Sequence, residues 1–183
     1  VYKRQEKGIW LCKSAGSLSR LEKKLNQSAP PLSSVGIGHT RWATHGKATD
    51  LNAHPFLSAD GMFAVAHNGI IENYTGLKAF LSEKGFSLVS DTDSEVVPML
   101  LEYFYDGDVL KAIRRAVSEL EGAFSLAIIT SRAPDCVFAA RKDSSLAIGC
   151  GKGCSFVSSD IPALSGFAEP VSYTHLRAHE TGA

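Results

Sequence analysis

The chain has 183 residues, a length that fits one domain with enough core to fold without disulfides or a structural metal. Its 19 basic and 19 acidic residues balance, so no net charge favours nucleic acid or an anionic membrane as a partner. No apolar stretch approaches the roughly 20 residues of a membrane span. No signal peptide is visible, and the four cysteines form no CxxC pair, so we interpret them as reduced thiols of a cytoplasmic protein. A zinc pair at Cys150 and Cys154 is a less favoured alternative.

The first half of the chain predicts short strands that end in polar residues. A strand over 8–13 is followed by an amphipathic helix over 18–25, where leucines recur at spacings of three and four. Apolar strands are predicted over 35–40 and 62–66, and each leads directly into a polar segment.

The second half predicts helices and then a meander of strands. Helices are expected over 74–84, ended by Gly85, over 93–104 with a bend at Pro98, and over 108–120. A short strand is expected over 86–89, and four more over 123–130, 136–141, 146–149 and 155–158. This order predicts an α+β fold with helices packed on antiparallel sheets, not a Rossmann alternation.

Both ends of the chain differ in character from the rest. Residues 1–5 (VYKRQ) and 171–183 (VSYTHLRAHETGA) resemble translated adapter sequence, so we expect a single domain over 6–170 between two non-native segments. His175 and His179 have the i, i+4 spacing of metal ligands, and we interpret that spacing as accidental.

Three polar clusters carry the residues suited to chemistry: 39–46 (HTRWATHG), 67–69 (HNG) and 92–95 (TDSE). Arg41 suits a carboxylate because its guanidinium donates two parallel hydrogen bonds, and Asp93 suits an ammonium group. Asn68 and the backbone N–H of Gly69 could together stabilise an oxyanion. These residue types form a set that fits a small zwitterion such as an α-amino acid.

Each of these residues also has a purely structural interpretation. Arg41 could form a surface ion pair, Asn68-Gly69 is a strong turn signal, and Thr92 with Glu95 fits a helix capping box that would explain Asp93. The spacing of the histidines at 39, 45, 54 and 67 matches no zinc motif, so hydrogen-bonding roles are favoured, and we predict no metal or other cofactor. A metal-assisted hydrolase and a non-catalytic amino-acid-binding module stay open as alternatives.

Several strings resemble the amidotransferase domain of the glucosamine-6-phosphate synthase family, also called glutamine–fructose-6-phosphate aminotransferase (isomerizing). They are GHTRWATHG at 38–46, NAHP at 52–55, AHNGIIENY at 66–74, SDTDSEV at 90–96, LEGAFSLAII at 120–129, AARK at 139–142 and SFVSSDIPALS at 155–165. The resemblance covers roughly residues 6–170. Among class II amidotransferases, the WATH run and NAHP fit this family better than amidophosphoribosyltransferase, which is the alternative within the class.

The resemblance implies an Ntn-hydrolase αββα sandwich that hydrolyses L-glutamine with an N-terminal cysteine, through a glutamyl thioester. Arg41, helped by Thr44 and His45, would then hold the substrate carboxylate, and Asp93 its ammonium group. Asn68 and Gly69 would form the oxyanion hole. Trp42 would lie at the mouth of an ammonia channel to a sugar-isomerase domain, where fructose 6-phosphate is converted to glucosamine 6-phosphate. The full-length enzyme is expected to be a homo-oligomer.

The sequence departs from this family at its start. The family begins with Cys-Gly-Ile-Val, a helix and an Arg-Gly-Tyr-Asp-Ser segment, whereas residue 1 here is valine. Cys12 cannot substitute, because an internal cysteine has no free α-amine. We therefore expect a sandwich that is incomplete at its N-terminal strand and helix, and a polypeptide that hydrolyses nothing as printed.

Overall fold

The computed structural model describes residues 2–5, 8–42, 46–167 and 169–171. Strands and helices follow the order β1 (Tyr2–Gln5), β2 (Gly8–Leu11), α1 (Leu18–Gln27), β3 (Phe56–Leu57), β4 (Phe63–Gly69), α2 (Tyr74–Glu83), α3 (Val96–Phe104), α4 (Val109–Ser118), β5 (Phe124–Thr130), β6 (Ala133–Lys142), β7 (Ala147–Gly151), β8 (Cys154–Ser158), a 3₁₀ turn (Pro162–Leu164) and β9 (Glu169–Val171). All described pairings are antiparallel, in sheets ordered β1-β2, β3-β4-β5-β6 and β8-β7-β9.

The main core lies between the helices and one face of the four-stranded sheet. Because side chains alternate across a strand, Phe63 and Val65 of β4 share this face, and Leu126 of β5 lies with them. The helices complete the layer with apolar stretches such as 96–101 of α3, which is almost wholly buried. This layer fixes β4, whose last residues enter the functional site.

A smaller apolar cluster covers the other face of the same sheet. Ala64 and Ala66 of β4 and Ile129 of β5 point to this side, where Ile37 packs on them with Ile9, Leu11 and Val35 nearby. The chain before β3 therefore runs across the face of the sheet instead of joining its edge. That course places residue 39 beside the end of β4.

The region around Ile37 corrects one predicted strand. Residues 35–40 form no ladder, because Ile37 packs face-on against the sheet and the backbone N–H of Val35 donates to Ser33 Oγ. The strand predicted over 86–89 is also wrong. There the N–H groups of Val89 and Ser90 donate to the buried carboxylate of Glu95 instead of to a neighbouring strand.

Helix α3 begins three residues later than the predicted start at residue 93, because the side chain of Glu95 binds the preceding backbone. The helix begins at Val96, so Pro98 lies in its first turn, where its missing N–H needs no acceptor, and the predicted bend has no cause. Glu95 bonds backward to residues 89 and 90, and no side chain caps this helix. The capping-box interpretation of Thr92 and Glu95 is therefore wrong.

The predicted α+β arrangement is confirmed by helices packed on antiparallel sheets. Tyr2–Gln5, which we expected to be non-native, pairs with β2 as a hairpin. Most of 171–183, including His175 and His179, lies outside the described residues. In the part of the chain that the structure describes, no helix has the length and apolar character to cross a membrane.

Candidate functional site

A cleft of about 370 Å³ opens where β4 ends, a size typical of small-molecule sites. Four segments meet there: the loop after Ile37, His54 just before β3, the end of β4 with the residue that follows it, and the residues before α3. Its walls are formed by His39, Thr40, Arg41, Trp42, His54, His67, Asn68, Gly69, Ile70, Thr92, Asp93 and Ser94.

The structure brings five of the seven predicted site residues to this one cleft. Arg41 and Trp42 come from the first loop, Asn68 and Gly69 from β4, and Asp93 from the segment before α3. Trp42 stands at the rim with 89% of its surface exposed. Thr44 and His45 lie outside the described residues. The roles of all seven residues stay predictions.

The end of β4 sends consecutive side chains to opposite faces of the sheet. His67 faces the helices, where its Nδ1 lies 2.8 Å from Ser94 Oγ, whereas Asn68 faces the other side, where its Oδ1 lies 2.6 Å from His39 Nε2. Pairing with β5 extends to Gly69, so the positions of these residues are set by the ladder.

Gly69 is required by the backbone of β5. Its φ is +113°, and a Cβ there would lie 2.1 Å from the carbonyl oxygen of Ala123. The N–H of Ile70 donates to that same carbonyl. Because successive N–H groups of a strand point to alternate sides, the N–H of Gly69 points away from β5, on the side where the N–H of His67 donates to His54. β3 pairs with residues 64 and 65, so no strand among the described residues covers that side at Gly69.

Asp93 is buried, with 7% of its surface exposed, yet it reaches the cleft. Its Oδ2 accepts a hydrogen bond of 2.8 Å from the N–H of Ile71, and its Oδ1 accepts one of 3.3 Å from Ser94 Oγ. A buried carboxylate with two donors keeps further acceptor capacity, because each oxygen carries two lone pairs. Asp93 can therefore receive a third donor from the cleft.

His54, His67 and Ser94 form a buried network behind Asp93. His54 Nδ1 accepts from the N–H of His67, so its proton must sit on Nε2, which lies 3.3 Å from Ser94 Oγ. If His67 also donates from Nδ1, Ser94 accepts two bonds and donates its own proton to Asp93. That pattern leaves only one lone pair unpaired, at His67 Nε2, whereas the opposite pattern would bury an unpaired N–H.

Burial keeps these histidines neutral. It lowers the pKa of His54 to about 2, with help from the neighbouring charges of His39 and His67. It also lowers the pKa of His67 to about 4, although Asp93 acts in the opposite direction. Burial likewise lowers the pKa of His39, opposed by its bond to Asn68 and by the nearby His67 carbonyl. At neutral pH the network is uncharged, and Asp93 is not neutralised by an imidazolium.

The loop that carries Arg41 is held by side-chain bonds. Arg41 donates to the carbonyls of Lys47 and Gly46 over 3.2 and 3.4 Å. Asn52 is almost fully buried, donates to the Lys47 carbonyl and to Asp91 Oδ2, and accepts from the N–H of Asp91. Asn52 thus connects the segment of Arg41 to the segment of Asp93.

Within the described residues, no three His, Cys, Asp or Glu side chains converge as metal ligands. Cys150 and Cys154 are exposed and unpaired in a hairpin whose register sets Cys150 opposite Ser155. The sequence interpretation missed Ser94 and Asn52 as parts of the site. Asn52 belongs to the NAHP string, but its partner Asp91 lies 39 residues away, and no local spacing reveals that contact.

A protein family described as "Glutamine amidotransferase domain" matches residues 39–166. Among curated proteins, the glutamine–fructose-6-phosphate aminotransferase (isomerizing) of Clostridium acetobutylicum is 47% identical over 165 residues, which are 90% of this chain and 27% of that protein. The Streptomyces coelicolor protein of the same name is 49% identical over 158 residues, 85% of this chain and 26% of that protein. The chain thus spans about a quarter of the length of these relatives.

Solved structures share the fold at lower sequence identity. Glutamine phosphoribosylpyrophosphate amidotransferase from B. subtilis superposes with a TM-score of 0.73 at 23% identity, over 91% of this chain and 37% of that one. A structure described as the allosteric regulatory enzyme of purine biosynthesis gives 0.74 at 24%. The fold is therefore that of the Ntn-type amidotransferases, as predicted. The chain belongs to the glutamine amidotransferase domain family.

Proposed function

We propose that the cleft binds L-glutamine and holds its side-chain amide for hydrolysis, as the ammonia-producing part of a glutamine–fructose-6-phosphate aminotransferase. One observation carries this proposal: Arg41, Asp93 and the Asn68-Gly69 pair meet in a single cleft although they come from three separate segments. A guanidinium and a carboxylate in the same cleft match the α-carboxylate and α-ammonium of an amino acid.

The Asn68-Gly69 pair suits the reacting amide. With Oδ1 of Asn68 bonded to His39, its Nδ2 is left to donate, and the N–H of Gly69 points to the side that no strand covers in the described part of the chain. Two donors of this kind can stabilise the negative oxygen of a tetrahedral intermediate. Arg41 and Asp93 fix the ligand in one orientation, and in this proposal Thr44 and His45 assist Arg41.

Hydrolysis needs a nucleophile that the described part of the cleft does not provide. None of its lining residues is a cysteine, and the nearest hydroxyl partner of a histidine, Ser94, is engaged by His67, His54 and Asp93. A cysteine thiol supplied from an N-terminal segment would attack the amide carbon and form a C–S bond. Its proton would pass through the cysteine α-amine to the departing ammonia, and water would then cleave the thioester to glutamate.

The wider activity follows the names of the relatives. In this proposal, ammonia leaves past Trp42 toward a sugar-isomerase domain that acts on fructose 6-phosphate in a homo-oligomeric cytoplasmic enzyme. The exposed indole of Trp42 at the cleft rim is compatible with such a contact. The quarter of the relatives' length that this chain spans leaves room for that second domain in a longer protein.

Calorimetric titration with L-glutamine and with its α-methyl ester tests the binding claim. The chain should bind L-glutamine and discriminate against the ester, which lacks the carboxylate that Arg41 would hold. Arg41→Ala should remove the discrimination, whereas Arg114→Ala, the same change of charge on the exposed side of α4, should keep it. Equal affinity of the unsubstituted chain for both ligands would contradict the assigned role of Arg41.

A further inference from the structure

We propose that His39 is a positioning residue that decides which end of the Asn68 side-chain amide faces the cleft. The inference rests on the proposed function, because it concerns how the oxyanion site is oriented. His39 Nε2 lies 2.6 Å from Asn68 Oδ1, and the side chain of Asn68 has no other hydrogen bond in the described part of the chain. The strand backbone places the Asn68 side chain on this face, but it does not determine the rotation of the terminal amide.

The two ends of an amide are opposite in function here. If Nδ2 faces the cleft, Asn68 donates to a developing oxyanion; if Oδ1 faces the cleft, it repels that oxyanion. His39 selects between them through its own protonation. A ring with its proton on Nε2 bonds Asn68 Oδ1 and leaves Nδ2 toward the cleft, whereas a ring with its proton on Nδ1 would accept from Nδ2 and turn the oxygen inward.

The surroundings of the ring favour the productive form. His39 Nδ1 is buried and makes no hydrogen bond of ordinary geometry, so a proton there would lack a well-aligned acceptor, even though the His67 carbonyl lies close enough to oppose the lowering of the His39 pKa. Burial also lowers the pKa of His39, so the neutral ring carries one proton and must place it on one nitrogen. The Nε2–H form gives that proton an acceptor.

His54 holds the ring of His39 in place. The two rings stack with centroids 4.2 Å apart and planes inclined by 22°. His54 is itself fixed by the N–H of His67 and by Ser94 Oγ. The orientation of the Asn68 amide is therefore set by three successive contacts. The backbone N–H of His67 holds His54, the ring of His54 stacks on His39, and His39 bonds Asn68.

Binding of two amino acids to the chain as printed tests the inference without a nucleophile. L-Glutamate places an anionic oxygen where the glutamine carbonyl would lie, and L-norvaline, of equal carbon number, places a methyl group there. His39→Phe keeps a ring to stack on His54 but removes the donor, whereas His39→Gln keeps a donor. His39→Phe should weaken glutamate binding about tenfold, the scale of a hydrogen bond to a charged group, and leave norvaline within about twofold. His39→Gln should restore most of the glutamate affinity.

Equal weakening of both ligands by His39→Phe, or no weakening of glutamate, would overturn the positioning role. A chain that binds norvaline but not L-glutamine would contradict the proposed function. The role of His39 would still be decided by the difference in glutamate affinity between the unsubstituted chain and His39→Phe. Nitrogen-15 NMR of the unsubstituted protein decides the remaining cases, including a His39→Phe variant that does not fold. The inference requires the His39 proton on Nε2 with a hydrogen bond to Asn68, and a proton on Nδ1 would refute it.

Discussion

Two regions of the cleft are built by different means. The end of β4, residues 67–69, is held by ladder pairing with β5 and by a buried network of neutral histidines. The described residues of the segment over 39–52, which are 39–42 and 46–52, form no strand or helix, and the side chains of Arg41 and Asn52 hold the segment by hydrogen bonds to the carbonyl of Lys47. The first region carries the proposed oxyanion donors and the second carries the guanidinium proposed to hold the carboxylate.

The difference separates the groups proposed for chemistry from those proposed for binding. Oxyanion donors must be fixed before charge develops, because reorganising them during the reaction would cost the stabilisation they offer. A guanidinium that holds a carboxylate acts before and during the reaction, so it tolerates a less rigid support. Changes at the two regions should therefore alter different kinetic constants.

The largest effect is expected for Asn68→Ala. It is measured in a cysteine-restored protein, in which residues 1–5 are replaced by an N-terminal segment of the Clostridium acetobutylicum relative that begins with the nucleophilic cysteine. Loss of one oxyanion donor should lower kcat for glutamine roughly 100- to 1000-fold and change KM little. Steady-state release of glutamate measures both constants. An unchanged kcat would show that Asn68 has a structural role in β4 and no role in stabilising the oxyanion.

Arg41→Ala in the same protein should produce the opposite pattern. Its loss should raise KM for glutamine roughly 10- to 100-fold with a smaller change in kcat, because the carboxylate contact is present in the ground state as well. Arg114→Ala on the exposed side of α4 is the matched control and should leave both constants unchanged. If Arg41→Ala lowered kcat and spared KM, the separation between the two regions would be wrong.

Asn52→Ala should weaken the attachment of the segment that carries Arg41 to the rest of the site. Removing its bonds to Lys47 and Asp91 leaves buried groups unpaired and should lower the free energy of unfolding by about 1–3 kcal/mol. It should also raise KM several-fold, because the segments of Arg41 and Asp93 are no longer joined.

Asn73 offers a control of the same chemistry outside the cleft. It donates to the Glu119 carbonyl and accepts from the N–H of Glu121. Asn73→Ala should lower thermal stability less than Asn52→Ala, because water can replace its exposed hydrogen bonds, and it should leave KM at its original value. Equal effects of both substitutions on KM would reduce the role of Asn52 to general stability.

The smallest effect at the site is expected from pH. The pKa of His54 is lowered to about 2 and that of His67 to about 4, so neither ring titrates near neutrality, and glutamine affinity should vary less than about twofold between roughly pH 5.5 and 7.5. Stability behaves differently, because the unfolded chain takes up these protons near pH 6.5. Since the unfolded state then binds more protons, stability should fall as pH falls from about 6.5 toward 4. Chemical denaturation across this range, compared with His67→Gln, measures the slope, which the substitution should reduce.

The sequence predicts the elements whose signals are local. Helices α2 and α4 and strands β4 and β5 follow from periodicity and flanking polar residues, and the predicted bounds lie within two residues of the observed ones at most of their ends. Failures occur where a distant side chain competes for the backbone. Glu95 takes the N–H groups that a strand over 86–89 would need, and Ile37 packs on the face of the sheet instead of lying in the strand predicted over 35–40.

The sequence predicts the residues that line the cleft, but it does not predict the side chains that hold those residues in position. Arg41, Asn68 and Asp93 have residue types that suggest amino-acid recognition. The contacts of Asn52 with Asp91 and of His39 with Asn68 join residues 39 and 29 positions apart, so they depend on tertiary packing that no spacing encodes. Contacts of this kind can be identified only from the three-dimensional structure.

We propose that this chain supplies the glutamine-binding and oxyanion groups of the site and that the described part of the cleft lacks a nucleophile. Glutamate release from L-glutamine, compared between the chain as printed and the cysteine-restored protein, tests it most directly. The chain as printed should release none, even at high protein concentration, and the cysteine-restored protein should turn over glutamine. Hydrolysis by the chain as printed would contradict the account, as would a folded cysteine-restored protein that binds glutamine and leaves it intact.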